Sequence, residues 1–355
     1  MPRYDAFLLV SFGGPEGPDD VIPFLENVTR GRGVPRERLE RVAEHYYRFG
    51  GVSPINQQNR DLLAAIEKDF AASGIDLPLY WGNRNWDPTL TDTVAAMAAD
   101  GRRHAIAFVT SAYSSYSGCR QYLEDIERAR AAAGAGAPLI EKLRPYFNHP
   151  GFIEPLADAV RAAAATLGQG VKNTYDLVCT AHSIPEAMAA ASGPAGGAYP
   201  AQLAEASRLV AERAGAARPW RLAYQSRSGP PSVPWLGPDV NDCLAGVAAS
   251  GSDGVVLAPV GFISDHLEVV YDLDVEAART AGRLGLPLAR AATPGTDPRF
   301  VSMITELVAE RQDGAPPRAL GSLGPLTGTC GPGCCESGRP ARPAADRVAT
   351  NREAR

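Results

Sequence analysis

Gly254-Val255-Val256-Leu257-Ala258-Pro259-Val260, running on through Gly261-Phe262-Ile263-Ser264-Asp265-His266-Leu267-Glu268-Val269-Val270-Tyr271-Asp272-Leu273-Asp274-Val275-Glu276, decides how the rest of the chain is read. The first part is an apolar run of strand length, as expected for a buried strand of a parallel sheet. The second part reads as a helix on which Glu268, Asp272 and Glu276 stand at i, i+4 and i+8, one carboxylate above another on a single face. Like charges at that spacing destabilise a helix by about 0.2–0.5 kcal/mol per pair, and no local Lys or Arg offsets them. A solvated acidic face is one explanation. The other is a row of hard oxygen ligands for a divalent cation, or for protons moving the opposite way. Position favours the second, because sites in open α/β sheets lie at the carboxyl ends of strands.

Working outward, the same alternation of apolar runs and Ala-rich helical stretches fills the chain. Strands are expected at 6–11 (AFLLVS), 77–82 (LPLYWG) and 104–110 (HAIAFVT), with helices at 19–28, 36–47, 59–72 and 89–100. A second series begins near His149, with helices at 152–167, 200–214 and 240–249 and strands at 176–180 (DLVCT), 221–224 and 254–260. A last helix is read at 298–311. Repeated βα units imply an α/β fold with mostly parallel sheets and right-handed crossovers. Two such series imply two similar Rossmann-like halves, 1–150 and 151–312, with a cleft between them. Beyond Asp313 Gly, Pro and Arg dominate, and the 313–355 tail is either disordered or ordered by something external.

The 355 residues carry a net charge of −5 with basic residues scattered, which argues against nucleic-acid binding. No apolar run approaches the ~18 residues of a membrane span, and MPRYDAF lacks the features of a signal peptide. A cytoplasmic protein is expected. Six cysteines in such a chain do not suggest a disulfide framework; Cys119, Cys179 and Cys243 are dispersed, while Cys330, Cys334 and Cys335 cluster.

The strand at 176–180 ends in Ala181-His182-Ser183-Ile184-Pro185-Glu186. A lone histidine is most often a satisfied core residue. Opposite the acidic helix it becomes a candidate to accept protons or hold a borderline metal in passing, because no second His at ligand spacing supports permanent zinc. Residues 110–122 (TSAYSSYSGCRQY) are dense in hydroxyls suited to substrate carboxylates, although helix capping explains one or two. Gly13-Gly14-Pro15-Glu16-Gly17 follows a strand but lacks the third fingerprint glycine and a Walker lysine, so its glycines are expected to let the backbone pass close to something flat or bulky. The Pro-rich Tyr224–Asp239 stretch around Trp235 is either a cap on the second sheet or a wall of the cleft.

Together, TAHSIP (180–185), GFISDHLEVVYDLDVE (261–276), SFGGP (11–15), GGVSPIN (50–56) and QSRSGPPSVPWLGPD (225–239) resemble the ferrochelatase family, in order, from about Asp5 to Arg311. LENVTRGRG (25–33) and SGCRQYLEDI (117–126) resemble its actinobacterial branch. The resemblance implies a lyase, a metal chelatase, with two four-stranded halves that bend a porphyrin between them and insert Fe2+, releasing two pyrrole protons. For that branch it implies coproporphyrin III as substrate in haem biosynthesis. It places His182 and Glu268 across the ring centre, in contact with the metal, with Asp272 and Glu276 as an outward relay. Phe12, Arg30, Ser53 and Tyr122 fall at substrate-binding positions, the last three on propionates. Phe12 stands where relatives often have Tyr, and His45 and Thr29 where some have Arg. A [2Fe–2S] cluster is also implied, with Cys330, Cys334 and Cys335 as three of the four thiolates it needs. Cys119, inside a branch motif, is chosen as the fourth over Cys179, which lies within a strand. A zinc knuckle or a free reduced tail are the alternatives. Transient contact with neighbouring enzymes of the pathway is expected. The competing functions are a protoporphyrin IX ferrochelatase, a chelatase for Co2+ or Ni2+, and a haem or metal carrier without turnover, which would have no use for a carboxylate ladder.

Overall fold

The computed structural model describes residues 4–168, 170–171, 174–328, 330–331 and 333–338. In β1 (Ala6–Ser11) Phe7 and Leu9 face one way and Ala6, Leu8 and Val10 the other, and both faces are buried. β1 lies between β2 (Leu79–Asn83) and β3 (His104–Val109), with β4 (Leu139–Lys142) beyond, in a sheet of order β2-β1-β3-β4. β5 (Asp176–His182), β6 (Arg221–Gln225), β7 (Val255–Ala258) and β8 (Leu288–Arg290) repeat the order as β6-β5-β7-β8. All six strand pairings are parallel. In each half the strand order reverses beside the first strand, which is where such sheets open a crevice for ligands.

The helices in chain order are α1 (Val21–Thr29), α2 (Arg36–Tyr47), α3 (Ile55–Ala72), α4 (Leu90–Ala99), α5 (Gln121–Ala133), α6 (Pro150–Thr166), α7 (Glu186–Ala190), α8 (Ala198–Ala214), α9 (Val240–Ala249), α10 (Leu267–Val270), α11 (Ala278–Arg283) and α12 (Pro298–Gln312). The main core lies between the sheets: Phe7, Leu9 and Phe108 from the first and Leu177, Cys179 and Val256 from the second meet α3, α6, α8 and α12. The outer faces carry their own cores, α4 and α5 on the first sheet and α9 with Val269 and Leu273 on the second. A small separate core, Phe24, Leu25, Leu39 and Ala43, holds α1 to α2.

Three departures from the sequence reading have physical causes. β4 and β8 are short edge strands whose composition is not strand-like, so they escaped notice. The acidic segment is not one regular helix: α10 passes into a π-helical stretch, Tyr271–Ala277, before α11. π turns are rare and concentrate at functional sites. The described part of the tail is held to the body: Asn148 Nδ2 donates to the Leu320 and Gly324 carbonyls, and Glu205 accepts from the Ser322 amide. The rest of it, 339–355, lies outside the described residues.

Candidate active site

His182 is the last residue of β5, and the pleat gives it the same face as Val178, the side on which Val269 and Leu273 pack. The chain leaving β7 comes close to β5 at Gly261, whose amide donates to the Thr180 carbonyl. A Cβ there would stand 2.7 Å from the Ala181 Cα, so only glycine permits the approach. The result is that His182 Nε2 and Glu268 Oε2 face each other at 3.6 Å, an ion-pair separation rather than a hydrogen bond. Both side chains are part-exposed, 35% and 43%, so the pair is open to a visiting molecule.

The backbone fixes the imidazole. Nδ1 lies 2.5 Å from the Ser183 carbonyl, which can only accept, so Nδ1 carries a proton and Nε2 is the nitrogen left for chemistry. The Tyr199 hydroxyl donates to the His182 carbonyl at 2.8 Å, and Ser183 Oγ to that of Leu236. Burial opposes protonation of His182, but Glu268, with help from the Ser183 carbonyl and Asp272, outweighs it and raises the pKa. Glu268 mirrors this: burial pushes its carboxyl up, while His182, His266 and His45 pull it down below the usual range. Three of the chain's five imidazoles thus act on one carboxylate.

Asp272 is different. Burial and the neighbouring Glu268 charge raise its pKa to about 7, against partial relief from the Ser226 hydroxyl. Ser226 donates to Asp272 Oδ2 from a left-handed backbone conformation, φ 63, that a serine seldom adopts. Glu276, one step further along the π stretch, is exposed. Glu268, Asp272 and Glu276 therefore run from the pair to solvent, with a group that exchanges protons near neutrality in the middle.

The first half closes on this ladder. The Ser53 hydroxyl accepts from the Leu267 amide at 3.4 Å, and Gln58 Oε1 from the Asp265 amide. His45 on α2 stacks on Tyr271 with centroids 3.8 Å apart, and Arg38 donates to the Ser228 carbonyl at 2.5 Å. Phe12, 37% exposed, projects from the end of β1 against Phe24. Ser53 thus borders the junction between the halves. Arg30 is exposed at the end of α1, donating to Asn27. Tyr122 is buried in the outer core of the first sheet, 4.4 Å beneath the Arg84 guanidinium, itself paired with Asp125. Neither joins the His182–Glu268 pair.

The hydroxyls of 110–117 are largely used internally: Ser114 pairs with Gln202, Tyr113 donates to the Val260 carbonyl and Ser115 caps the turn at Gly118. His266 and Ser226 lie within quoted motifs but carry no role in the sequence reading, and His45 enters it only as standing where some relatives have Arg. Cys119, Cys334 and Cys335 form a buried cluster with Cys330 at its edge: Sγ separations are 3.8 Å for Cys119–Cys330 and 3.8 Å for Cys334–Cys335. Among the described residues no group of three or more His, Cys, Asp or Glu is arranged to hold a single metal ion.

The chain is similar to known proteins in sequence and in fold. The family model for Ferrochelatase matches residues 4–312. The Coproporphyrin III ferrochelatase of Streptomyces coelicolor is 55% identical, over 96% of this chain and 96% of its own length. That of Nocardia farcinica is 56% identical over 96% and 98%. In fold the chain is similar to the sirohydrochlorin chelatase SirB of Bacillus subtilis subspecies spizizenii in complex with cobalt, with a TM-score of 0.51, 12% identity and coverage of 87% of this chain and 96% of that one. Two parallel sheets of matching order, a histidine at a strand end facing a carboxylate ladder, and a family match across nearly the whole folded body lead to one conclusion: this chain is a member of the ferrochelatase family.

Proposed function

We propose that this chain inserts Fe2+ into coproporphyrin III to give coprohaem, releasing the two pyrrole protons. The observation that carries the reading is the His182–Glu268 pair at 3.6 Å, with Asp272 and Glu276 leading from it to solvent. A carrier has no need to remove protons; a chelatase must discharge two for each metal inserted. The names of the Streptomyces and Nocardia relatives support the substrate. Fe2+ is a substrate here, delivered to the pair and transferred to the ring.

In this mechanism the macrocycle lies against Phe12 with its centre over the His182–Glu268 pair, whose 3.6 Å separation leaves no room for a ring between them, and distortion turns a pyrrole lone pair toward the metal. His182 Nε2 and Glu268 take the pyrrole protons as general bases. Asp272, poised near neutrality, passes protons on to Glu276 and water. Ser53 and Arg30 hold propionates at the rim; Tyr122, buried beneath Arg84, does not reach them. The halves divide at about residue 150, with the tail from 313. None of the six cysteines is joined in a disulfide, which suits a reducing compartment, and we place the protein in the cytoplasm. An exposed apolar rim, Val42, Tyr47, Phe49 and Val52, supports transient contact with neighbouring enzymes of the pathway.

We also assign a [2Fe–2S] group to Cys119, Cys330, Cys334 and Cys335. The fit rests on four sulfurs gathered in two close pairs, on the Gly193 amide donating to Cys335 Sγ at 3.1 Å, and on the Lys142 ammonium acting electrostatically on Cys119. A pairwise arrangement suits a binuclear centre better than a single ion. Such a group supplies one-electron chemistry and a covalent tie between the tail and the body; metal insertion, which transfers no electron, does not pass through it.

The test is anaerobic turnover with Fe2+, comparing coproporphyrin III with protoporphyrin IX by loss of porphyrin fluorescence. Faster consumption of coproporphyrin III is expected. Faster consumption of protoporphyrin IX would shift the reading to the alternative ferrochelatase, and stoichiometric binding without turnover would make the chain a carrier.

A further inference from the structure

Lys142 ends β4 and is buried, 6% exposed. Its Nζ donates to the Leu143 carbonyl at 3.1 Å. Among the described residues no carboxylate pairs with it: Glu141 is taken by His104, Arg311 and Tyr4, and Glu310 by Arg144. Burying an ammonium without an anion is costly, and proteins rarely tolerate it. The anion must come from elsewhere. On the side of the tail, where the backbone at Gly328 runs against Lys142, the ammonium acts electrostatically on both Cys119 and Cys330. The buried cation therefore faces sulfur.

We propose that Lys142 is the fixed counter-charge of the four-cysteine centre and sets its reduction potential. The proposal rests on the reading that these cysteines hold a [2Fe–2S] group. Four thiolates on such a core leave a net double negative charge when it is oxidised, and one electron from a reductant such as dithionite deepens it. Potentials of these centres follow net charge, hydrogen bonds to sulfur and exposure. An ammonium a few ångströms away, screened from water, favours the more negative, reduced form. The Gly193 amide on Cys335 acts in the same direction but remains whatever side chain stands at 142.

The experiment is an equilibrium redox titration of the full-length protein, reconstituted anaerobically with iron and sulfide, as wild type, Lys142→Met and Lys142→Arg. Methionine keeps the length and removes the charge; arginine keeps the charge. The expected result is a midpoint in Lys142→Met lowered by at least about tenfold in the reduction equilibrium, about 59 mV for a one-electron couple, with Lys142→Arg near wild type. Loss of the visible chromophore in Lys142→Met with retention in Lys142→Arg also supports a requirement for charge. Equal midpoints in wild type and Lys142→Met overturn the role of Lys142 and leave the cysteine assignment standing, as does loss of the chromophore in both variants, which would make the side chain a packing element. A wild-type protein that takes up neither iron nor sulfide overturns the cysteine assignment itself, and the role of Lys142 with it.

Discussion

The two halves share a strand order, yet the segments after their third strands differ sharply. After β3 the chain makes a π turn, Tyr116–Arg120, and carries Cys119 into a sulfur cluster; after β7 it makes a longer π stretch, Tyr271–Ala277, and carries three carboxylates past His182. The first strands differ in the same sense: β1 ends at Ser11 before the exposed ring of Phe12, and β5 at an imidazole. One scaffold thus offers the same crevice twice. In the second half it is filled with groups that exchange protons, in the first with an apolar ring and soft sulfur. The lesson is that topology sets where chemistry can sit, and side chains decide which half performs it.

If the chemistry belongs to the second half, the largest effects lie there. His182→Ala should cut iron insertion on the order of 100- to 10,000-fold, with porphyrin binding, read by fluorescence quenching, retained. Glu268→Gln should fall in the same range, and the double variant should be little worse than either, because the two act as a unit. Normal turnover in either single variant would break the comparison.

At the sulfur cluster, Cys335→Ser should bleach visible absorption and lower the melting temperature by several degrees, since it releases the tail from Gly193. An unchanged spectrum would remove the contrast between sulfur and carboxylate.

Asp272 gives a smaller, pH-dependent effect. Its carboxyl is held at about 7 against an ordinary 3.8, so within that window the folded chain keeps a proton that the unfolded chain has lost. Stability therefore falls as pH rises through the window. Asp272→Asn should melt higher than wild type near pH 8, by about 2–4 °C for each kcal/mol recovered, and the gain should fade toward about pH 4. Smallest of all, Phe12→Tyr should alter the KM for porphyrin by only about twofold, because the first half contributes a surface and not a reacting group.

Central strands were plain in the sequence because β1, β3, β5 and β7 are buried on both faces and read as apolar runs. Leu139 at the edge is 48% exposed and Lys142 is charged, so β4 gave no such signal. The π geometry was illegible because residues four apart remain neighbours in either helix. His182 and Glu268 could be singled out, since one ends a strand and the other stands in the first helix after one. His45 and Lys142 could not, because what gives each meaning lies more than a hundred residues away: Tyr271 for one, the tail sulfurs for the other.

The hairpin of α1 and α2 rests on its own small core, apart from the one that fills the space between the sheets. Prising the sheets apart would wet that central core, whereas swinging the hairpin breaks the His45–Tyr271 stack, the Arg38–Ser228 bond and the contacts of Phe24 with Phe12 and Trp86 and of Asn27 with Asn85. Whatever disturbs the hairpin therefore loosens ring contacts at the mouth of the junction, while the core between the sheets, and with it the alignment of the reacting pair, is left intact.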